Sequence, residues 1–507
     1  MPQDFINGLP AELLCQVFDR LGHQQQAEAA ATCVRWSEIL NGDRYVWRRR
    51  LYLCPLNLCE NGIGDVEDMR RYRAFAIKDT LNTPERTDLR YFLNTLRRFL
   101  FCEQVRENVE DLRLRLFRYS LADLFANEGG LDFPKLRRIS VHPSLFLNKR
   151  DLMKCNITAP NVREIVLDDS NSCANPLVQL FSEQITKLGV TFMDKVMFFA
   201  GIGSKPFVNL QCLTLKALHG SHFPRLFRDT DFTPTHMQLF RRLRFLKIDD
   251  GENVFFPAYE CIFRVATNLK TLIVLGRDMS EDAFNAIDEL KQLEELHLNI
   301  EIHKSWSIRK LSLPNLRKLT TYVGTLAPLE SAPNLKSLQI QNHTQLRGRF
   351  MFGEEDKLAA YFKVFNAHLE ELLLKKVELD TTFVNQICTL TKLRTLEMNS
   401  VESEQLGVQK ILAALPQLKR VRFVKCNLVK ELVISFNDTN QDQEREDLDE
   451  GFEDEENMNF FNKLMLQYPD CGIANEHSRV VRHSPRDQVT MYPSGYQVTM
   501  HHFWKVY

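Results

Sequence analysis

The sequence lacks the features that mark secreted, membrane-spanning and polybasic proteins. It has no run of about 18 apolar residues, so we expect no transmembrane helix. Its first residues, Met1 to Phe5, have neither the basic nor the apolar segment of a secretory signal. The 65 basic and 66 acidic residues nearly cancel, giving a net charge of −1. We therefore expect a cytoplasmic or nuclear protein, or one found in both, that binds neither membranes nor nucleic acid.

Signals for disulfides, metals and catalysis are also scarce. The 12 cysteines include no Cys-x-x-Cys pair, and Cys54 and Cys59 have no second pair at zinc spacing. The stretch from Gly201 to Lys205 lacks the spacing of a phosphate-binding loop. No nucleophile elbow, H-E-x-x-H or kinase motif is present. We expect reduced thiols, no metal, no cofactor and no enzymatic activity.

A repeat of the form L-x-x-L-x-L fills most of the chain. Leu293 to Leu298, with the sequence Leu-Glu-Glu-Leu-His-Leu, is a clear copy. Thirteen copies begin between Val109 and Leu418, with a mean period of about 26 residues. The alternation predicts one short strand per copy, with the fourth and sixth residues inward and the third, fifth and seventh on the opposite face. One unit cannot bury its own apolar face, but a stack of units can.

This pattern resembles the leucine-rich repeat. The resemblance implies a curved solenoid over residues 109–436, with a parallel sheet on its concave side. The sequence departs from the family at the ninth position of the repeat, where the family prefers Asn or Cys and only Cys426 fits. The spacing between copies is also uneven. We therefore expect an α/β fold with an irregular parallel sheet.

Residues 1–50 have a different, helical pattern. Pro10 suits the first turn of a helix, and apolar residues recur at spacings of three and four from Leu13 to Leu21. A second helical stretch runs from Ala27 to Trp36.

These residues resemble the F-box. Its L-P-x-E-x-L opening matches the segment from Leu9 to Leu14, and its V-C-x-x-W core matches Thr32 to Trp36 with Thr in place of Val. The resemblance implies that the segment binds a Skp-type adaptor and, through it, the core of a cullin-RING ubiquitin ligase. The adaptor-binding residues are then expected to be Leu9, Pro10, Leu13, Leu14, Val17, Phe18, Cys33, Val34 and Trp36. The alternative is a plain helical cap that shields the first repeat.

Three further segments complete the predicted organisation. Residues 51–108 are expected to form a helical linker and N-terminal cap, because an apolar stripe runs from Asp88 to Glu107; the alternative is a partner-binding helix. Residues 437–457 are expected to be a disordered acidic insertion, since Asp438 to Glu456 contains eleven acids and one base. Residues 458–507 are expected to cap the array.

The predicted concave face offers a binding surface for a protein substrate. Near its middle, apolar and aromatic side chains stand beside charged ones, as in protein–protein hot spots. The expected substrate-binding residues are Phe245, Lys247, Ile273, Leu275, His297, Lys318 and Tyr322. The alternative is that Ile273 and Leu275 are only good strand formers or lie under a loop.

Together, the two parts predict the substrate-recognition subunit of an SCF-type E3 ubiquitin ligase. The F-box would dock the adaptor, and the repeats would hold an unknown protein substrate for ubiquitination. This chain would itself catalyse nothing. The alternative is a leucine-rich-repeat scaffold, or an acidic chaperone-like interaction protein, without a role in ubiquitination.

Overall fold

The computed structural model divides into two compact units, with the described residues up to Leu210 in the first and those from Gln211 onward in the second. The residues that the structure describes are 9–18, 21, 23–40, 50–53, 73–78, 94, 96–115, 131–141, 157–170, 176–192, 207–217, 234–251, 259–276, 279–300, 310–322, 329–341, 362, 364, 367–430, 464, 467, 472–476 and 479–482.

Helices are short and strands are numerous. The α-helices are α1 (Ala11–Phe18), α2 (His23–Ala30), α3 (Val34–Leu40), α4 (Glu103–Asn108), α5 (Pro176–Leu180), α6 (Pro234–Arg242), α7 (Tyr259–Val265), α8 (Glu281–Ala286), α9 (Thr381–Ile387) and α10 (Gln405–Ala414). The strands are β1 (Arg50–Leu53), β2 (Ala74–Lys78), β3 (Asp111–Arg115), β4 (Leu131–Asp132), β5 (Arg138–Val141), β6 (Ile157–Thr158), β7 (Glu164–Ser170), β8 (Lys187–Phe192), β9 (Cys212–Ala217), β10 (Phe245–Gly251), β11 (Thr271–Gly276), β12 (Glu295–Asn299), β13 (Leu311–Ser312), β14 (Lys318–Tyr322), β15 (Leu329–Ser331), β16 (Ser337–Gln341), β17 (Glu371–Lys375), β18 (Glu378–Leu379), β19 (Thr395–Asn399), β20 (Glu402–Glu404), β21 (Arg420–Val424), β22 (Asn427–Lys430), β23 (Gly472–Glu476) and β24 (Arg479–Arg482).

Parallel strands, one from each repeat, form the main sheet of each unit. In the first unit the order is β1-β2-β3-β5-β7-β8. In the second unit it is β9-β10-β11-β12-β14-β16-β17-β19-β21-β23. Smaller parallel sheets join β4 to β6, β13 to β15, and β18 to β20, β22 and β24. Every one of the thirteen predicted repeats contributes a strand to a main sheet, which confirms the α/β repeat fold.

The core lies on one face of these sheets. In β12, Leu296 and Leu298 are buried, whereas Glu295, His297 and Asn299 are partly exposed. Leu296 pairs in register with Leu272 on one side and Leu319 on the other, and all three are fully buried. A buried leucine side chain contributes about 1.5–3 kcal/mol, so the stacked leucines are the main source of stability.

The strand stack extends beyond the predicted repeats at both ends. Residues 51–108 are not only helical, because β1 and β2 extend the sheet before β3. Phe75 and Ile77 occupy the buried positions of β2, where the other repeats carry mostly leucine, so the repeat pattern was not recognised there. At the other end, β23 pairs with β21 and lies within the predicted C-terminal cap. The acidic insertion 437–457 lies outside the described residues.

The predicted helix from Asp88 to Glu107 is interrupted. Residues 96–101 are helical, Cys102 has extended backbone, and α4 then begins at Glu103. The first helical stretch packs on the sheet, since the rings of Phe99 and Phe75 lie 4.9 Å apart in an edge-on arrangement. Residues 88–93 and 95 lie outside the described part of the chain.

Successive repeats are also joined by side-chain amides, here called the amide ladder. The residue just before each L-x-x-L-x-L copy is often Asn, and its Nδ2 donates to a backbone carbonyl of the preceding repeat. The asparagine rungs are Asn161 to Pro134 O (2.6 Å), Asn209 to Glu183 O (2.6 Å), Asn268 to Arg241 O (2.8 Å), Asn315 to Lys291 O (2.8 Å) and Asn334 to Pro314 O (2.8 Å). Gln184 and Gln417 make equivalent bonds to Ala159 O (2.9 Å) and Leu390 O (3.2 Å). The asparagines that introduce the repeats therefore connect neighbouring turns of the stack.

Three strands of the second unit end in the same kind of turn. The eighth residue of these repeats has a positive φ: Lys376 (56°), Ser400 (52°) and Lys425 (51°). The chain then places the ninth residue in the core, where Cys426 is fully buried and its Sγ lies 3.2 Å from the carbonyl oxygen of Met398. Valine occupies this position in the other two repeats, which explains how the core tolerates the departure from Asn or Cys.

Candidate functional site

The N-terminal helices form a small core of their own. Pro10 precedes α1, and its carbonyl accepts hydrogen bonds from the amides of Leu13 and Leu14. The core contains Leu14, Phe18, Ala29 and Leu40, with Leu9, Cys15, Leu21, Ala30, Trp36 and Ile39 packed against it. The rings of Phe18 and Trp36 meet edge-on at 5.3 Å, which joins α1 to α3.

Two side chains fix the ends of α1. Gln26 is buried, and its Nε2 donates to the carbonyls of Phe18 (2.9 Å) and Leu21 (3.2 Å). These bonds tie the end of α1 and the residues that follow it to α2. At the other end, Arg35 donates from Nη2 to the carbonyl of Leu9 (2.6 Å). This bond ties the entrance of α1 to the first turn of α3.

The same helices present a second, exposed apolar face. Leu13 and Val17 are 44% and 50% exposed, and they lie one turn apart on α1. Val34, at the start of α3, is 75% exposed. Pro10 is exposed as well. Leu13 and Val17 therefore form an exposed apolar patch on α1, and Val34 is a further exposed apolar side chain on α3.

The structure separates the nine predicted adaptor-binding residues into two groups. Leu14 and Phe18 are each 1% exposed, so as folded they stabilise the helices and offer no side-chain surface to a partner. Leu9, Cys33 and Trp36 are partly buried, whereas Pro10, Leu13, Val17 and Val34 are exposed. Binding of an adaptor by these residues stays a prediction.

The seven predicted substrate-binding residues lie on four neighbouring strands of the second unit, on the face opposite its core. We call them the strand-face cluster. Ile273 pairs in register with Lys247 on one side and His297 on the other. Neighbouring strands of a sheet lie about 4.8 Å apart. Phe245 and Lys318 lie three strands apart in a neighbouring row, so they are not in direct contact. The register therefore places Lys247, Ile273 and His297 side by side, but it does not bring all seven residues together.

The centre of the cluster is a histidine–tyrosine pair. The rings of His297 and Tyr322 stack with centroids 6.2 Å apart and an interplanar angle of 25°. Nε2 of His297 is buried and has no hydrogen-bond partner among the described residues. Burial is the largest of the causes that lower the pKa of His297 to about 4. The charges of Lys247 and Lys318 act in the same direction, whereas that of Glu295 acts in the opposite direction. His297 is therefore uncharged at neutral pH, and the pair forms a largely apolar contact surface.

One charged residue of this region was missed. Glu295 forms an ion pair with Lys318 at 2.8 Å, which offsets the predicted positive charge at that edge of the cluster. Glu295 occupies the third position of the repeat in β12, so the alternation that selected Lys318 also points to it. The usable surface is consequently less basic than the seven predicted residues alone indicate.

Residues 6–52 match the family model described as F-box-like. The match covers α1, α2 and α3, which together form the helical core described above. The chain thus carries an F-box-like domain followed by a leucine-rich-repeat-like stack of parallel strands.

More distant likenesses concern the overall architecture. A crystal structure of a protein from Bacteroides fragilis has 12% identity and a TM-score of 0.28, covering 75% of this chain and 77% of that one. An internalin from Listeria monocytogenes has 10% identity and a TM-score of 0.25, covering 79% and 89%. No curated protein matches the chain. Since both TM-scores are below 0.5, the repeat architecture rests on the strand pairing of the chain itself.

The described ranges lack two further features. None of their helices is long and apolar enough to cross a membrane. They also contain no group of three His, Cys, Asp or Glu side chains placed to hold a metal ion.

Proposed function

We propose that the protein is the substrate-recognition subunit of an SCF-type E3 ubiquitin ligase. The F-box-like domain would bind a Skp-type adaptor, which connects it to the cullin-RING core. The repeats would hold a protein substrate close to the ubiquitin-loaded enzyme. The effect is one of proximity, in which a substrate lysine reaches a high local concentration, so this chain need not carry out chemistry. Its site of action would be the cytoplasm, the nucleus or both.

The observation that carries this proposal is the second apolar face of the F-box-like domain. The core of the domain is already formed by Leu14 and Phe18, so the domain does not need Leu13, Val17 and Val34 for its own packing. Large apolar side chains that stay in contact with water on a small domain favour association with a partner. A plain helical cap would give no reason to expose them.

Replacing all three exposed residues tests the adaptor contact. The triple substitution Leu13→Ser, Val17→Ser and Val34→Ser should abolish pull-down of a Skp-type adaptor and leave the thermal melt unchanged. Truncating one residue at the centre of an interface commonly costs about 2 kcal/mol, a weakening of about thirtyfold. Leu406→Ser provides the control, because Leu406 is 52% exposed on α10 and lies in the second unit. Adaptor binding that survives the triple substitution refutes the proposal.

For the substrate, we propose the surface around His297 and Tyr322. A stacked, uncharged pair beside Ile273 provides a firm apolar contact, and Lys247 supplies a charge at its edge. His297→Ala combined with Tyr322→Ala should deplete substrates from affinity purifications while adaptor recovery stays constant. Gln341→Ala is the matched control, because Gln341 pairs with Tyr322 on the next strand. An unchanged set of recovered proteins would place the substrate elsewhere.

The alternative is a repeat scaffold without a role in ubiquitination. Loss of adaptor and cullin from purifications of the triple variant, with other partners retained, favours the ligase subunit. A scaffold would recover neither adaptor nor cullin with the unaltered protein.

A further inference from the structure

At His368 the amide ladder has no side-chain amide. Asn334 donates to the carbonyl of Pro314, so a rung at the equivalent residue of the next repeat, His368, would reach the carbonyl of Pro333. Instead, Nε2 of His368 is buried and has no hydrogen-bond partner among the described residues. Buried polar groups are nearly always paired, so this atom is a candidate partner for a bound group or water.

A hollow opens at this position. Its volume is about 260 Å³, and its lining includes Pro333 and His368. A water molecule takes up about 30 Å³, so the hollow has room for several waters, or for a carboxylate or phosphate group. It lies wholly within the second unit, between repeats that are 34 residues apart along the chain.

The remaining lining is strongly basic. Lys336, Lys392 and Arg394 contribute three positive charges, and Glu370 contributes one negative charge. Glu370 is already engaged by Lys336 at 3.1 Å, and these contacts, with the added charge of Arg394, lower the pKa of its carboxyl. Lys392 and Arg394 form no ion pair within the described residues. Three bases and one acid leave the lining with a net charge of +2, beside a buried polar atom.

The hollow also lies on a basic edge of the second unit. The second residue of each repeat forms a column, because its carbonyl accepts two amide hydrogen bonds from the next repeat, as Glu370 O does from Arg394 and Thr395. From β10 to β21 this column contains six bases and two acids: Arg244, Lys270, Glu294, Arg317, Lys336, Glu370, Arg394 and Lys419. Such an edge attracts anions from solution and guides them towards the hollow.

We propose that this hollow binds an anionic oxygen group, a carboxylate or a phosphate, on a side chain of the protein substrate. Arg394 provides a planar donor suited to either group, and Lys392 provides a second charge. The hollow would thus select acidic or phosphorylated segments. That the anionic group belongs to a protein substrate rests on the proposed function. The binding of the anion by the hollow does not depend on it.

Short peptides test the hollow directly. The full-length protein, labelled with 13C in its histidines, is titrated with blocked pentapeptides that have phosphoserine, glutamate or serine between glycines. Comparison with His368→Asn assigns the signal of His368. The phosphoserine or the glutamate peptide should shift this signal and leave that of His297 in place, whereas the serine peptide should do neither. The charged peptide that binds more tightly identifies the group as phosphate or carboxylate.

Two substitutions with the same change of charge give the control. Arg394→Gln removes a cation from the hollow and should weaken binding about tenfold, as expected for one charge-assisted hydrogen bond. Arg317→Gln removes a cation from the same column outside the hollow and should have an effect below about twofold, because distant exposed charges are screened. Equal weakening by both variants, or no shift of His368 with either charged peptide, overturns the proposal. These titrations need no adaptor, so their failure is distinct from a failure of the adaptor pull-down.

Discussion

The amide ladder should make a measurable contribution to the cohesion of neighbouring repeats. Asn315→Ala removes one hydrogen bond of 2.8 Å to the carbonyl of Lys291. A hydrogen bond contributes about 1 kcal/mol net, and the carbonyl left behind can bind water because this edge is exposed. We therefore expect a loss of about 1 kcal/mol, and about twice that when Asn334→Ala is added, if the two rungs act independently.

Hydrogen exchange is the appropriate assay for this loss. A long stack of repeats need not unfold in one step, so a single free energy of unfolding is a poor measure. The amide of Lys318 bonds to the carbonyl of Glu294 and crosses the same repeat boundary as the Asn315 rung. Its exchange should accelerate about fivefold in Asn315→Ala, since about 1 kcal/mol corresponds to that factor. Amides in the F-box-like helices should exchange at unchanged rates.

His368→Ala is the matched control for the ladder. It removes a side chain at the equivalent position of the repeat, but one whose Nε2 makes no hydrogen bond with the described residues. Exchange of the amide of Glu371, which bonds to Lys336 O across that boundary, should therefore change by less than about twofold. If His368→Ala accelerates exchange as much as Asn315→Ala does, the rungs are not the cause of the cohesion.

Three other substitutions test separate parts of the structure. Leu14→Ala should destabilise the F-box-like domain by about 2–5 kcal/mol in a thermal melt, whereas Leu13→Ala should stay within about 0.5 kcal/mol because Leu13 is half exposed. Because the pKa of His297 is about 4 in the folded protein and near 6.5 when unfolded, the unfolded chain binds the extra proton between these values. The free energy of unfolding should fall by at most about 3 kcal/mol as the pH drops from 6.5 to 4. Urea titrations at each pH should show a smaller fall for His297→Gln, which has no imidazole to protonate. Lys425→Gly should raise stability by about 1 kcal/mol in urea, because glycine adopts the positive φ of 51° without strain; no gain would contradict that view of the turn.

The strand positions were predictable because they depend on local alternation. A residue pattern such as Leu293 to Leu298 determines both that a strand forms and which of its faces is buried. Strands β1, β2 and β23 were missed because Arg48, Tyr72 and Asp470 stand at the first position of their repeats, where the recognised copies have Leu, Val or Ile. There the neighbouring strand supplies the hydrogen bonds and the buried surface, and a single sequence does not show that neighbour.

The hollow at His368 depends on relations between repeats, which the sequence shows only weakly. The asparagines before the repeats were visible, but their bonds reach carbonyls 20–27 residues away in the chain. Only the three-dimensional register shows that His368 takes the place of a rung and that Lys392 and Arg394 face the gap. An aligned table of the residues before each copy would not have singled out His368, because Lys135, Arg242 and Lys392 also stand in place of asparagine.

The two faces of α1 show why the candidate adaptor surface needed the structure. Helical periodicity puts Leu14 and Phe18 on one stripe and Leu13 and Val17 on the adjacent one, and both stripes are equally apolar. The periodicity alone therefore gives no way to decide which pair is buried. The packing of Trp36 against Phe18 makes that choice and leaves Leu13 and Val17 in contact with water. Stability and recognition consequently depend on different residues of the same eight-residue helix, so a loss of adaptor binding can be separated from a loss of folding.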